Sequence, residues 1–294
     1  MKNRLNDKKI FSVISVVFIL IITIICILPF ILVVSGSLSS QNSIINYGFS
    51  FWPREFSLAA YQVAFNQPGA ILRAYGVTIL VTTMGSGVGL FITAMTGYVL
   101  TRKDFEWRNR FSFFFYFTTL FSGGIVPWYI LCVKYLKFSD NYLGLIVPFM
   151  LNVFNILVMK SFMASIPEAI TESAKIDGAG DFLIFRKLIM PLAKPALATI
   201  GLFIILSYWN DWFLAFMFIQ DPQKYTLQYY LYKIVSGAQA LSNLSNSVAS
   251  DKVGTPTESL KLAMTVIATG PIIFVYPIVQ KYFVKGLTIG SVKG

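Results

Sequence analysis

The run Phe11–Val34 is twenty-four residues long and carries no charged side chain. A helix needs about 20 apolar residues to cross the hydrocarbon of a bilayer. Five more stretches share that character: Ala74–Leu100, Phe111–Val133, Leu143–Met163, Pro195–Ile219 and Leu262–Phe283. The composition, 56% hydrophobic with only 13% charged, points the same way. The expected fold is all-α: a polytopic membrane protein, one domain over residues 1–294, with six transmembrane helices. Ser122-Gly123-Gly124 and Pro127 interrupt the third run. They predict a broken or bent helix whose freed backbone groups face protein or water.

Lys8-Lys9 before the first run and Ser35-Gly36-Ser37 after it have the outline of a secretory signal. The run is longer than a usual signal core and contains Pro29, so it is read as a retained first helix. Basic residues then set the orientation. Sixteen of the twenty-four lie in the N-terminal tail, the second and fourth connections and the C-terminal tail. Eight are spread over the other connections. Both termini are therefore expected on the cytoplasmic side of a cell membrane. The same bias accounts for the net charge of +11, since a nucleic-acid partner would need a basic soluble domain.

Several chemistries have no residues to carry them. The chain has no His, and Cys26 and Cys132 each sit inside an apolar run. A disulfide framework, a metal site or a conventional catalytic triad is not expected. No Gly-x-x-x-x-Gly-Lys-Ser/Thr loop cradles a phosphate, so no cofactor is expected in this chain. Active transport would draw its energy from another subunit or from an ion gradient. No internal repeat is evident, which argues against a two-fold secondary transporter.

A charged, Gly-broken segment, about 165–191, separates the fourth and fifth runs. Ser165-Ile166-Pro167-Glu168 fits a capping box and predicts a short helix running to Ile176. Asp177-Gly178 supplies a turn. Asp181 is placed to cap a second helix carrying Phe182, Phe185, Leu188 and Ile189 at helical spacing. Pro191 marks its end. The result is a helix–turn–helix at the cytoplasmic surface, with a glycine that permits close approach and aromatic knobs suited to a groove. By pattern alone, an amphipathic helix lying on lipid fits equally well.

The order Glu172, Ala174, Asp177-Gly178-Ala179, Phe185 and Pro191-Leu192 resembles the EAA loop of ABC importer permeases, with every offset kept. Ser173 stands where that loop usually has Ala, and Met190 where it usually has Leu. Phe51-Trp52-Pro53, Tyr61, Gly123-Gly124, Pro127, Trp209-Asn210 and the tail from Phe283 to Gly294 are similar to the carbohydrate-uptake permeases. The likeness is to the maltose-type second permease, nearest the polysaccharide and lipo-oligosaccharide branch. It implies a permease subunit importing oligosaccharide, with no catalytic residue of its own. It also implies a second permease, an ATPase dimer that holds ATP and Mg, and an extracytoplasmic binding protein. In this reading Glu172, Ala174, Asp177, Gly178, Ala179, Phe182, Phe185 and Pro191 form the coupling element gripped by the ATPase. The tail would reach into the ATPase dimer.

For the substrate pathway, Asn152 and Asn155 lie three apart on the fourth helix, hence on one face. Trp209, Asn210 and Asp211 sit well along the fifth. Indole faces stack on sugar rings, and amides and carboxylates pair with hydroxyls. The same residues equally suit helix–helix hydrogen bonding and an aromatic belt. Gly85, Gly89, Thr93 and Gly97 form a small-residue ridge for close helix contact. The outer connection turns Ser-, Asn- and Ala-rich from Ser236 to Ser259 and is expected to be solvated and mobile, a surface for the binding protein. Two other functions stay open at this stage. One is an ion-coupled transporter, with Asp211 the one titratable candidate in the spans. The other is an ABC permease for a non-sugar solute.

Overall fold

The computed structural model describes residues 2–247, 257–273 and 277. The described residues form helices joined by turns, with one isolated bridge, Ser39 to Phe56, and no strand. The chain divides into two compact units: Met1–Pro68 with Leu231–Gly270, and Gly69–Tyr230 with Pro271–Gly294.

In the first unit, α1 (Lys2–Ser37) runs straight through Pro29. Its span Ile10–Ser37 has mean hydropathy 3.4 and buries none of its most apolar window. An unburied apolar helix is stable where lipid tails, as apolar as Leu itself, replace water. Two short helices follow, α2 (Gln41–Tyr47) and α3 (Ala59–Ala64). The Ser40 hydroxyl caps α2 by accepting from the Ser43 amide at 3.1 Å. The Gln41 carbonyl oxygen accepts from the amides of Glu258 at 2.9 Å and Ser259 at 3.2 Å. It thereby serves two of the orphan donors at the start of Thr257–Ile273.

The second unit is built round α4 (Pro68–Thr101), apolar and long enough to cross a membrane. The third span breaks as the glycines predict. α5 (Arg108–Leu120) ends at Phe121, Gly124 takes φ +86°, and α6 (Ile125–Ile130) departs at 115°. The fourth run is also broken, where a continuous helix was expected. α7 (Leu143–Ile146) tightens over Val147–Phe149, and α8 (Val153–Ala164) follows at 45°. Pro148 lacks an amide and starts that narrow turn.

The charged segment 165–191 supplies α9 (Glu168–Ile176), α10 (Asp181–Ile184) and α11 (Met190–Leu192). Between α10 and α11 lies a widened turn, Phe185–Ile189. The Met190 amide there reaches back five residues to the Phe185 carbonyl, a loosening that makes room for the Pro191 ring. The fifth expected run, 195–219, supplies α12 (Lys194–Trp209) and, after a break, α13 (Phe213–Phe218).

Among the described residues, two helices are long and apolar enough to cross a membrane, or up to five spans if each bent pair is counted as one. The expected sixth span, 262–283, coincides with α15 (Thr257–Ile273) as far as Ile273, and most of its remainder lies outside the described residues.

The Gly ridge on α4 packs tightly. A Cβ at Gly97 would lie 2.7 Å from Met159 Cγ, and one at Gly89 would lie 3.1 Å from the Met150 carbonyl oxygen. The Gly85 backbone faces the Tyr208 ring at similarly close range. Beyond the spans, the Asp140 carboxylate accepts from the Asp221 amide at 3.1 Å and pairs with Lys224 at 3.0 Å. The Lys224 hydrogen bond, with the amides of Asp221 and Gln220, holds the Asp140 carboxyl below its ordinary range.

One expectation is corrected over part of its length. The Ser- and Asn-rich stretch is expected to be solvated and mobile from Ser236 to Ser259, but as far as Ser247 it belongs to a helix, α14 (Leu227–Ser247). Leu227, Leu231, Ile234 and Ala238 recur at three- and four-residue steps, and the first two are buried. Composition masked that stripe. Residues 248–256 lie outside the described residues.

Candidate docking site and substrate pathway

The turn between α9 and α10 explains its own residue types. The Gly178 amide donates to Lys175 O at 3.0 Å, and the Ala179 amide donates to Ala174 O at 2.9 Å. This pair of bonds satisfies the last carbonyls of α9 and requires a left-handed residue between them. Gly178 supplies it with φ +79°. Ala174 and Ala179 meet across the closure, half-buried and packed on the core. Asp177 and Gly178 are left exposed at the tip.

Two capping assignments are corrected. Ser165 does not cap α9; its hydroxyl donates to Phe162 O at 2.6 Å and closes α8 instead. Pro167 precedes α9 without a side-chain cap, and the Glu168 carboxylate pairs with Lys103. Asp181 likewise is the first residue of α10 and does not cap it. The carboxylate turns back to Arg102 at 3.0 Å. In both cases an ion pair to the 102–104 segment outcompetes the local backbone.

The aromatic knobs divide. Phe185 is buried, 3% exposed, with its ring 5.5 Å from Tyr98 and 6.2 Å from Phe91 on α4. It anchors the segment inward and is not available to a partner's groove. Phe182 is 56% exposed and Ile176 87%. Of the exposed large apolar side chains here, which also include Leu183 and Leu192, these two turn furthest outward. Pro191 ends the element, and the chain turns 85° into α12.

Beneath the segment lies an ion network. Arg102 donates from Nε to Asp104 at 2.8 Å and from a terminal nitrogen to the Tyr98 hydroxyl at 2.7 Å. Lys175 reaches Asp104 at 2.7 Å and Asp181 at 3.7 Å. Asp104, hydrogen-bonded by Arg102 and then by Lys175, has its carboxyl well below the usual carboxylate range. Beside this network a cleft of about 440 Å³ is lined by Tyr98, Arg102, Arg108, Glu168, Glu172 and Lys175, among others. Glu172 makes no ion pair among the described residues, so its carboxylate faces the cleft unspent.

The pathway candidates occupy helix breaks. Asn152 is not on the fourth helix but in front of α8, where its side chain accepts from the Asn155 amide at 3.2 Å. The shared-face argument is thus replaced by a cap. Asn152 is exposed and Asn155 buried. Asn210 closes α12, and the Asp211 carboxylate accepts from the Leu214 amide at 3.2 Å, capping α13. Trp209 is only 7% exposed, whereas Trp212 is 40% exposed. The fifth span therefore breaks at Asn210–Trp212, where continuity was expected.

The profile of binding-protein-dependent transport system inner membrane components matches residues 8–289. The chain belongs to that family. The polygalacturonan/rhamnogalacturonan transport system permease protein YtcP of Bacillus subtilis (strain 168) is 38% identical over 294 residues, covering 100% of both chains. Protein LplC of the same organism is 38% identical over 288 residues, covering 97% of this chain and 96% of its own. A solved bacterial ABC transporter involved in the import of the acidic polysaccharide alginate aligns with TM-score 0.76 and 32% identity. That match covers 94% of this chain and 97% of the other.

The sequence pattern gives the helix–turn–helix of the 165–191 segment but not its anchor. By sequence, Arg102 and Lys103 count as orientation charges, and nothing local marks Asp104 as their partner. The one available signal was their alternating sign just past the end of a span, opposite the charged faces of the segment at Glu168, Lys175 and Asp181.

Proposed function

We propose that this chain is a permease subunit of an ATP-driven importer for oligosaccharides derived from acidic polysaccharides. It forms half of the translocation channel, as a single permease domain with six spans and both termini cytoplasmic. A second permease completes the channel, and an extracytoplasmic binding protein delivers the sugar. ATP and Mg belong to a separate ATPase dimer, which performs the hydrolysis. The observation that carries the sugar class is 38% identity along the full length of both chains to a polygalacturonan/rhamnogalacturonan permease. The likeness to an alginate importer, another polymer of acidic sugars, supports the same class.

The docking segment is the input. Glu172, Asp177, Gly178 and Phe182 face the ATPase, while Ala174, Ala179, Phe185 and Pro191 hold the shape that presents them. The breaks at Asn152 and at Asn210–Asp211 are the substrate-facing positions, because irregular backbone at membrane depth is stable only beside protein or a water-filled path. Asn155 and Trp209 back them, and Trp212 offers the more open indole for stacking on a sugar ring.

The test is uptake of radiolabelled trigalacturonate and, as a neutral control, maltotriose. Cells lacking this chain should lose trigalacturonate uptake to background and regain it on complementation, with maltotriose unaffected. Loss of maltotriose uptake alone would reject the acidic-sugar assignment. Trigalacturonate entry driven by an ion gradient, and indifferent to ATP, would reject the importer class.

A further inference from the structure

We infer that Arg102 is a mechanical joint, a positioning residue that makes the docking segment and α4 move as one body. The inference rests on the docking segment being the element the ATPase grips.

Chain connectivity alone does not transmit a pull in any one direction. The segment leaves α8 through Ser165–Pro167 and enters α12 through an 85° turn at Ala193. Both ends are bends, so the covalent path permits a swing. The non-covalent ties instead converge on the end of α4. Phe185 seats on Tyr98 and Phe91, and Arg102 joins Tyr98 of α4, Asp104 of the following turn and Asp181 of α10.

The Arg102 side chain is 12% exposed, against 52% for Asp104 and 68% for Asp181. The cation is the covered centre of the network, and the carboxylates are its rim. Lys175 closes the ring, giving two cations and two anions with no net charge to expel. A guanidinium suits this post because its rigid plane offers five donors in fixed directions. An ammonium is a point charge that cannot hold the same three partners in one geometry.

The helix so gripped is stiffly engaged further along. The Gly ridge brings α4 against Met159, Met150 and Tyr208 with no slack for even a methyl group at Gly97. Close-packed interiors pass displacement on and do not absorb it. A pull on Ile176 and Phe182 thus reaches α8 and α12 through α4 and Arg102, besides along the backbone.

The experiment uses the whole transport complex, first checking that the unmodified chain co-purifies with an ATPase and takes up trigalacturonate. Failure there would count against the coupling reading and is visible before any variant is made. Arg102→Gln should keep the ATPase bound yet lose uptake, and Arg102→Lys should fall between the two. The decisive variant is Arg102→Cys with Asp181→Cys, in a chain whose Cys26 and Cys132 are replaced by Ser. It should be transport-dead until a short bis-methanethiosulfonate crosslinker, which loses methanesulfinate to each cysteine thiolate, bridges the pair, and then recover. A merely structural arginine would not be rescued by a tether. Parental uptake by Arg102→Gln, or a bridged complex that keeps its ATPase but stays inactive, overturns the inference. So does loss of the ATPase from Arg102→Lys.

Discussion

Gly178 shows how one residue decides a surface. Its φ of +79° puts any Cβ in the left-handed region, although nothing lies within 4 Å to obstruct one. Substitution therefore tests backbone strain separately from packing. Alanine should cost about 1–2 kcal/mol at the turn, and asparagine less because it tolerates that region. A β-branched valine should cost more. ATPase retention in purified complexes should rank Gly, Asn, Ala, Val. Gly178→Arg should abolish retention and uptake while the chain still inserts, and normal transport by it would remove the coupling role. Asp211 poses a different question at the same scale. Its carboxylate caps α13, and an amide oxygen does that work nearly as well. Asp211→Asn should transport close to normally, while Asp211→Ala should lose about 1 kcal/mol of local stability, read by thermal unfolding in detergent. Transport lost in a well-folded Asp211→Asn would revive the ion-coupled reading.

At the scale of elements, the docking segment has an inner and an outer face, and the two phenylalanines divide between them. Phe185→Ala removes a buried ring and should cost about 3–5 kcal/mol, seen as less protein in the membrane and a lower melting temperature. Phe182→Ala removes an exposed ring and should leave both unchanged while weakening ATPase retention. Equal behaviour of the two variants would mean the burial of Phe185 does not persist in the complex. What could be read from sequence follows from the range of the interactions involved. The α9–turn–α10 arrangement was legible because Asp177-Gly178 and the apolar spacing act within a few residues. So was the break at Gly123-Gly124, where glycine leaves the helix locally. The corrected caps were not, because Glu168 and Asp181 are claimed by Lys103 and Arg102, more than sixty residues away in sequence. A capping rule cannot see such a competitor. α14 is hard to read because its polar composition overlies a narrow buried stripe, and the break before α8 because an Asn occurs in a helix interior and at a cap alike.

For the whole molecule, the arrangement of charge leads to a testable topology. Sixteen basic residues cluster on the two tails and on the second and fourth connections, and eight on the rest. Retaining Lys and Arg on the cytoplasmic side sets the direction in which successive helices insert. The docking segment and the Arg102 network then share one side, as they must if they touch. The Asp140–Lys224 staple falls on the other, between the third and fifth connections. Single cysteines placed at Lys103, Ser173 and Lys137 in a cysteine-free chain convert this into an experiment. A membrane-impermeant maleimide added to intact spheroplasts should label Lys137→Cys alone, and the other two only after the membrane is opened. Labelling of Ser173→Cys from outside would place the docking segment beyond the reach of any cytoplasmic ATPase. The side-by-side use of Lys103 and Ser173 matters: the two positions lie seventy residues apart in sequence, but Lys103 and Glu172, the residue before Ser173, line one cleft, so the two sites should change accessibility together. If they differ, the ion network that joins their neighbours does not form in the membrane.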